Sequence, residues 1–279
     1  MKFDPHFDLV CMGRAAVDLY GEQPGARLED QSSFAKYLGG CPANIAVGAS
    51  RLGLRAAMLT RVGDEANGRF VREALSAEGV DVSHVRTDPR RLTALVFLAI
   101  KDRESFPLVF YRHDCADMAV SASDFDEAFL GNAKALLVSG THFSRPATAQ
   151  ACAAAMKLAK RVVFDIDYRP VLWGLTGHGL GEERFVADES VSAHLQTILP
   201  GCDVIVGTEE EIHIAGGTTD TLGACRRIRE LAPDEQELSR GAHRVGERSD
   251  SDVSVRGAIG LARGYGPLID GPGSGRNRF

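Results

Sequence analysis

Short β-rich runs that alternate with stretches of helical period constrain this chain more than any other feature. "FDLVCMG" (Phe7–Gly13), "AAMLTRVG" (Ala56–Gly63), "ALLVSG" (Ala135–Gly140), "RVVFDID" (Arg161–Asp167) and "CDVIVG" (Cys202–Gly207) each read as a strand. Between and after them lie helical patterns. One opens at Pro42, with Ile45, Ala49 and Leu52 at spacings of four and three and Gly53 at its end. A second carries Phe70, Val71 and Leu75 ahead of Gly79, a third runs from Pro146 to Lys160, and two more start at Thr208 and Asp220. Repeated strand-helix-strand units predict an α/β fold, a mostly parallel sheet with helices on both faces. In such sheets ligands sit at the carboxyl ends of the strands.

One stretch breaks the rhythm. "LTALVFLAI" (Leu92–Ile100) and "FPLVFYR" (Phe106–Arg112) are joined by a charged turn too short for a helix, so they predict a hairpin. Two places suit it: the antiparallel edge of the main sheet, or a small β lid over a cleft.

Charge and composition narrow the function. A net charge of -6 argues against a nucleic-acid surface, which needs a basic patch, and points to a small-molecule ligand. No apolar run is long enough to span a bilayer, and "MKFDPHFD" lacks the basic start and apolar centre of a signal peptide, so the expected location is cytoplasmic. The six cysteines form no CxxC pair and read as buried thiols rather than as disulfides or a zinc site. "YRHDCADM" gathers His113, Asp114, Cys115 and Asp117, but their spacing fits no standard metal site.

The most specific run is "YLGGCPANIAVGASRLGL" (Tyr37–Leu54). Gly39 and Gly40 lead straight into a helix, so the backbone there can pack tightly against a strand or come close to a ligand. Asn44 supplies both a donor and an acceptor. The pattern Gly39-Gly40-x-Pro42-x-Asn44-x-Ala46, with Gly53 and Gly63 beyond it, resembles the first signature of the PfkB, or ribokinase-like, carbohydrate kinases. The likeness runs over residues 7–232 and includes "GRAAVDLY", "CADMA", "DIDYRPVLWGLTG" and "ILPGCDVIVGTEEEIHIAGG". It implies an ATP- and magnesium-dependent phosphotransferase acting on a sugar acid of inositol catabolism. It also implies a lid inserted at about 13–38 and 91–112, and a possible homodimer through that lid.

The resemblance assigns residues. Asp18, Gly39, Gly40 and Asn44 would contact the sugar. Arg169 would meet its carboxylate through a planar fork, although a salt bridge to Asp165 or Asp167 suits it nearly as well. The lone tryptophan, Trp173, reads as core. In "VGTEEEIH" the family's Asn-x-x-Glu falls on Gly207-Thr208-Glu209-Glu210. Glu210 would then act near magnesium through water, while acids at a helix start also simply complement its dipole.

Relatives carry a second signature, Gly-Ala-Gly-Asp at the start of a late helix, whose amides form an anion hole and whose Asp takes the proton. The sequence contains no such run, so no catalytic base is assigned. After Pro233 the resemblance stops, and residues 233–279 are glycine- and arginine-rich without period. The expectation is a shifted reading frame: the C-terminal third of the fold missing, a disordered tail, poor solubility and negligible turnover. Two other readings remain: a kinase for 2-keto-3-deoxygluconate or another sugar, and a non-catalytic sugar-binding remnant. A dinucleotide-dependent redox enzyme would need a G-x-G-x-x-G after the first strand, and "CMGRAAVD" has none.

Overall fold

The computed structural model describes residues 6–102 and 105–232, together with the backbone of 259–261. In chain order the elements begin with β1 (Phe7–Met12), β2 (Ala16–Gly21), β3 (Phe34–Gly39), α1 (Cys41–Arg51), β4 (Ala56–Gly63) and α2 (Ala66–Ala77). Then come β5 (Val85–Asp88), β6 (Leu95–Leu98), β7 (Leu108–Tyr111), α3 (Glu127–Gly131), β8 (Ala133–Ser139) and α4 (Pro146–Leu158). The last are β9 (Val162–Asp165), α5 (Glu189–Gln196), β10 (Val204–Gly207), α6 (Glu209–Gly216), α7 (Thr221–Leu231) and β11 (Ile259–Leu261).

Seven strands form one sheet in the order β11-β10-β9-β8-β1-β4-β5, and every pairing in it is parallel. Successive side chains of its central strands enter two different cores, as a doubly covered sheet requires. Val10, Met12, Leu59, Leu136 and Val138 pack with residues of α3, α4, α5 and α6. Cys11, Met58 and Leu137, one position along, pack instead with Ala43 and Ala46 of α1 and Val71 and Leu75 of α2. Toward β10 the second face is less well covered, and Val163, Val204 and Val206 are only half-buried.

The hairpin is not an edge of this sheet. Strands β6 and β7 pair antiparallel, and β6 runs parallel to β2, which in turn pairs with β3, giving a separate four-stranded sheet in the order β3-β2-β6-β7. Because β2 leaves the end of β1 and β3 returns into α1, this small sheet stands over the carboxyl ends of the large one.

Residues 16–21 and 34–39 are strands, so Asp18 lies within β2. One expectation needs correction. The buried side of α1 is Pro42, Ala43, Ala46 and Ala49, whereas Leu52 caps the helix and is 84% exposed. Small alanines let α1 lie close to the sheet, so the large apolar residue was a poor guide to the packed face. The expectation for residues 233–279 falls outside the described residues, apart from the pairing of Ile259–Leu261 with β10.

Candidate functional site

The first turn after β1 builds one wall of the site. Arg14 follows Gly13 there, and four residues on Asp18 projects from β2 on the same face as Gly39 of β3. A Cβ on Gly39 would come within 2.0 Å of Asp18 Oδ1, and one on Gly40 would meet the Arg14 carbonyl oxygen at 2.3 Å. Gly40 also has φ of 100°, a conformation L side chains rarely adopt. Gly40 is therefore required by close backbone packing, and the carboxylate of Asp18 fills the space that the missing side chain of Gly39 leaves.

Polar atoms in this wall lack partners. Arg14 Nε and Nη1 and Asp18 Oδ1 are buried without a hydrogen bond, and Arg14 Nη1 stands 4.0 Å from Asp18 Oδ1, beyond hydrogen-bond reach. Burial raises the pKa of Asp18, and Arg14 acts against that rise. Buried donors and acceptors in native proteins almost always find partners. A cluster that does not is arranged for a polar ligand or for water. Asn44, in the first turns of α1, is exposed at the rim, and its side chain is free of protein hydrogen bonds among the described residues.

Behind this wall lies a buried ion pair. Arg112, at the end of β7, donates from Nε to Asp117 Oδ2 at 2.8 Å and holds Nη2 2.7 Å from the same oxygen as an ion pair, and both residues are almost fully buried. His142 is packed beside them, its Nε2 3.1 Å from the Asp117 carbonyl and its Nδ1 3.5 Å from Arg112 Nη2. Burial, reinforced by Arg112, pushes the His142 pKa down to about 4. The imidazole is neutral near pH 7.

The opposite wall comes from the ends of β8, β9 and β10. Cys41, the first residue of α1, donates its thiol to Asp165 Oδ2 at 2.6 Å. Asp167 accepts from Ser139 Oγ at 3.1 Å and pairs with Arg169 Nη2 at 3.4 Å. Arg169 also donates from Nη1 to the Tyr168 carbonyl at 2.8 Å and to Glu211 Oε1 at 3.2 Å. Burial, then the neighbouring Asp167, pushes the pKa of Asp165 up to about 7. Burial also raises the pKa of Glu211 and that of the Cys41 thiol.

The sequence-predicted residues thus divide into groups. Asp18, Gly39 and Gly40 come together, with Asn44 at the rim. Arg169 sits in the second wall with its fork shared between two carboxylates. Glu210 is exposed on the first turn of α6, and hydrogen bonding to its own backbone N–H lowers its pKa. The residue that helix geometry turns inward is Glu211: it closes a capping box with Thr208, accepting from the Thr208 N–H at 2.8 Å. Arg14 and Arg112 were missed, although "GRAAVD" and "YRHDCAD" held them, as was His142 in "SGTHFS"; Asp117 had entered only as part of a rejected metal cluster. The acids of "DIDYR" had entered only as possible partners of Arg169.

The cluster of Cys41, Asp165 and Asp167 has ligand atoms within 4.8 Å of one another. It does not suit magnesium, a hard cation that takes oxygen ligands, because one donor is a protonated thiol and Asp167 is paired with Arg169. Glu210 has the oxygen chemistry that magnesium takes: its carboxylate is exposed, and hydrogen bonds to its own N–H and to Thr208 favour the ionised form.

Residues 6–238 match the family described as pfkB family carbohydrate kinase. The 5-dehydro-2-deoxygluconokinase of Halalkalibacterium halodurans is 34% identical over 243 residues, covering 85% of this chain and 70% of that protein. The enzyme of the same name from Bacillus subtilis is 34% identical over 218 residues, covering 76% of this chain and 63% of its own length. Thus this chain spans under two thirds of some of these relatives. Among solved structures, a PfkB protein from Polaromonas sp. JS666 superposes with a TM-score of 0.70 at 28% identity, over 81% of this chain and 74% of that one. An uncharacterised sugar kinase from Pyrococcus horikoshii, in complex with ATP, superposes with a TM-score of 0.64 at 27% identity, covering 73% of this chain and 64% of that one.

Proposed function

The chain belongs to the pfkB family of carbohydrate kinases, and from that premise we propose that its site takes 5-dehydro-2-deoxygluconate, the sugar acid that a kinase of myo-inositol catabolism phosphorylates at a primary hydroxyl. The observation that carries this reading is the pair of buried, unpartnered groups, Asp18 Oδ1 and Arg14, beside the bare backbone of Gly39 and Gly40. An acceptor for a hydroxyl next to a cation suits a polyhydroxy acid. The relatives named 5-dehydro-2-deoxygluconokinase support the same substrate.

In this reading Asp18 accepts hydrogen bonds from sugar hydroxyls, Gly39 and Gly40 let the ligand reach the backbone, and Asn44 bonds a further hydroxyl from the rim. Arg169 holds Asp167 and Glu211 and so shapes the wall at the end of β9. ATP would supply the phosphoryl group, and magnesium would neutralise its charge, held through water at Glu210. Proton removal from the attacking hydroxyl needs a base. The sequence has no Gly-Ala-Gly-Asp run to provide it, so the proposal for this chain is sugar-acid binding with negligible turnover.

Pairing of two copies through the small sheet belongs to the same proposal. Its outer strands β3 and β7 carry the exposed Tyr37 and Tyr111, and free strand edges favour association. A soluble, cytoplasmic location is proposed with it. Among the described residues, no helix is long and apolar enough to cross a membrane.

The test incubates the purified chain with 5-dehydro-2-deoxygluconate and Mg-ATP while following ADP release, alongside a calorimetric titration of the sugar acid. Binding without ADP release is the expected result. Rapid ADP release would overturn the claim of inactivity, and absence of binding would overturn the substrate.

A further inference from the structure

We infer that Arg14, and not Arg169, is the residue that recognises the substrate's carboxylate and so makes the site selective for a sugar acid over a neutral sugar. The inference rests on the proposed sugar-acid substrate, and it concerns which cation in the cleft is available to a ligand anion.

Four arginines stand near the cleft: Arg169 and Arg112 are engaged, and Arg184 is exposed and faces Arg169 and the acids of the second wall. Arg169 donates to the Tyr168 carbonyl and to Glu211 and pairs with Asp167. Arg112 donates from Nε to Asp117 Oδ2 and holds Nη2 against the same oxygen as a close ion pair, so its charge is met although its Nη1 is buried without a hydrogen bond. Arg14 has no hydrogen bond to any described group, its Nε and Nη1 are buried, and its side chain is only 11% exposed. Its guanidinium carbon lies 5.5 Å from the centre of the Phe110 ring, so the ring face supports the cation without using its N–H donors. A buried guanidinium with unused donors is costly to maintain. A ligand carboxylate would remove that cost, since planar N–H donors match its two oxygens.

Asp18 makes the assignment more specific. Its Oδ1 lacks a donor just as Arg14 lacks acceptors, and the two groups are 4.0 Å apart. They are too far apart to satisfy each other but close enough to be satisfied by one small molecule. Such a ligand presents a hydroxyl to Asp18 and an anionic oxygen to Arg14, which describes a hydroxy acid. A neutral sugar would leave the buried cation with only the more distant charge of Asp18 and no anionic acceptor for its N–H donors.

Titration calorimetry of 5-dehydro-2-deoxygluconate and of its neutral carboxamide, on the unmodified chain and on Arg14→Gln, tests this. The substitution is expected to weaken acid binding by roughly 10- to 100-fold, as loss of a charge-assisted contact does, and to leave carboxamide binding within about twofold. An unchanged preference for the acid would overturn the inference. An equal loss for both ligands would also overturn it, because Arg14 would then only hold Asp18 in place. If the unmodified chain binds neither ligand, the sugar-acid reading itself fails and the inference falls with it. Should Arg14→Gln not fold, Arg14→Lys keeps the charge without the planar donors, and a several-fold loss for the acid alone is expected.

Discussion

The carboxylate of Asp18 on β2 lies against the bare Cα of Gly39 on the neighbouring strand, where a methyl group would come within 2.0 Å of Oδ1. The two residues sit diagonally across the β2–β3 pair, on the face that covers the cleft. Strand register therefore fixes where the Asp18 carboxylate stands, and it does so only while position 39 has no side chain.

Gly39→Ala is expected to abolish sugar-acid binding, because the new methyl group must displace the Asp18 carboxylate. Gly40→Ala acts on the fold itself. Its Cβ meets backbone, the Arg14 carbonyl, and its φ of 100° is strained for alanine, so a cost of about 1–3 kcal/mol is expected. Calorimetry and urea unfolding of both variants separate the two effects: binding lost first at Gly39, stability lost first at Gly40.

Asp117→Asn should be among the most destabilising single changes near the site. It leaves the guanidinium of Arg112, 2.7 Å from Asp117 Oδ2 and 2% exposed in its side chain, without its counter-charge. Breaking such a buried pair costs about 3–5 kcal/mol. The double variant Arg112→Met with Asp117→Leu removes both charges and should recover part of that loss, read as the shift in the urea midpoint.

The two adjacent glutamates of α6 should behave oppositely. Glu211→Ala removes the acceptor of the Thr208 N–H and a partner of Arg169, costing about 1–3 kcal/mol as buried polar groups lose their bonds. Glu210→Ala, on the exposed side, should change stability by less than about 0.5 kcal/mol. Thermal melts of the two variants provide the comparison.

The fold was legible where apolar runs were continuous and bounded by glycine, as at β4, because both faces of that strand are buried. The small sheet was half hidden. In β2 and β3 the residues Asp18, Tyr20 and Tyr37 interrupt the apolar pattern on one face of this sheet, and Lys36 interrupts it on the other, where it lies over the Phe70 ring. The glycine pair and Asp18 were legible from a family resemblance and from the need for bare backbone. Arg14 was not, because an arginine after a strand-ending glycine has the composition of any solvated turn. Only the burial of its nitrogens distinguishes it.

Stability should depend on pH through Asp165. Its pKa is raised to about 7 by burial, so the folded chain holds a proton that the unfolded chain, with an ordinary carboxylate near pH 4, has already released. That contribution is fully present at low pH and is lost as pH rises from about 4 to about 7. His142, lowered to about 4, works in the opposite direction, favouring the folded state as pH rises over much of the same range. The two are separated by comparing melts of the unmodified chain with Asp165→Asn. The unmodified chain should lose stability relative to the variant as pH rises through this window, and a difference that stays flat would contradict the assignment.

The central claim is that this chain holds a sugar acid between the first turn and the small sheet. A calorimetric titration of 5-dehydro-2-deoxygluconate onto the unmodified chain and onto Asp18→Asn tests it most directly. Saturable one-site binding that Asp18→Asn abolishes, with the melting temperature of the variant retained, is the predicted result. Absence of binding to the unmodified chain, or binding of equal strength in Asp18→Asn, would contradict it.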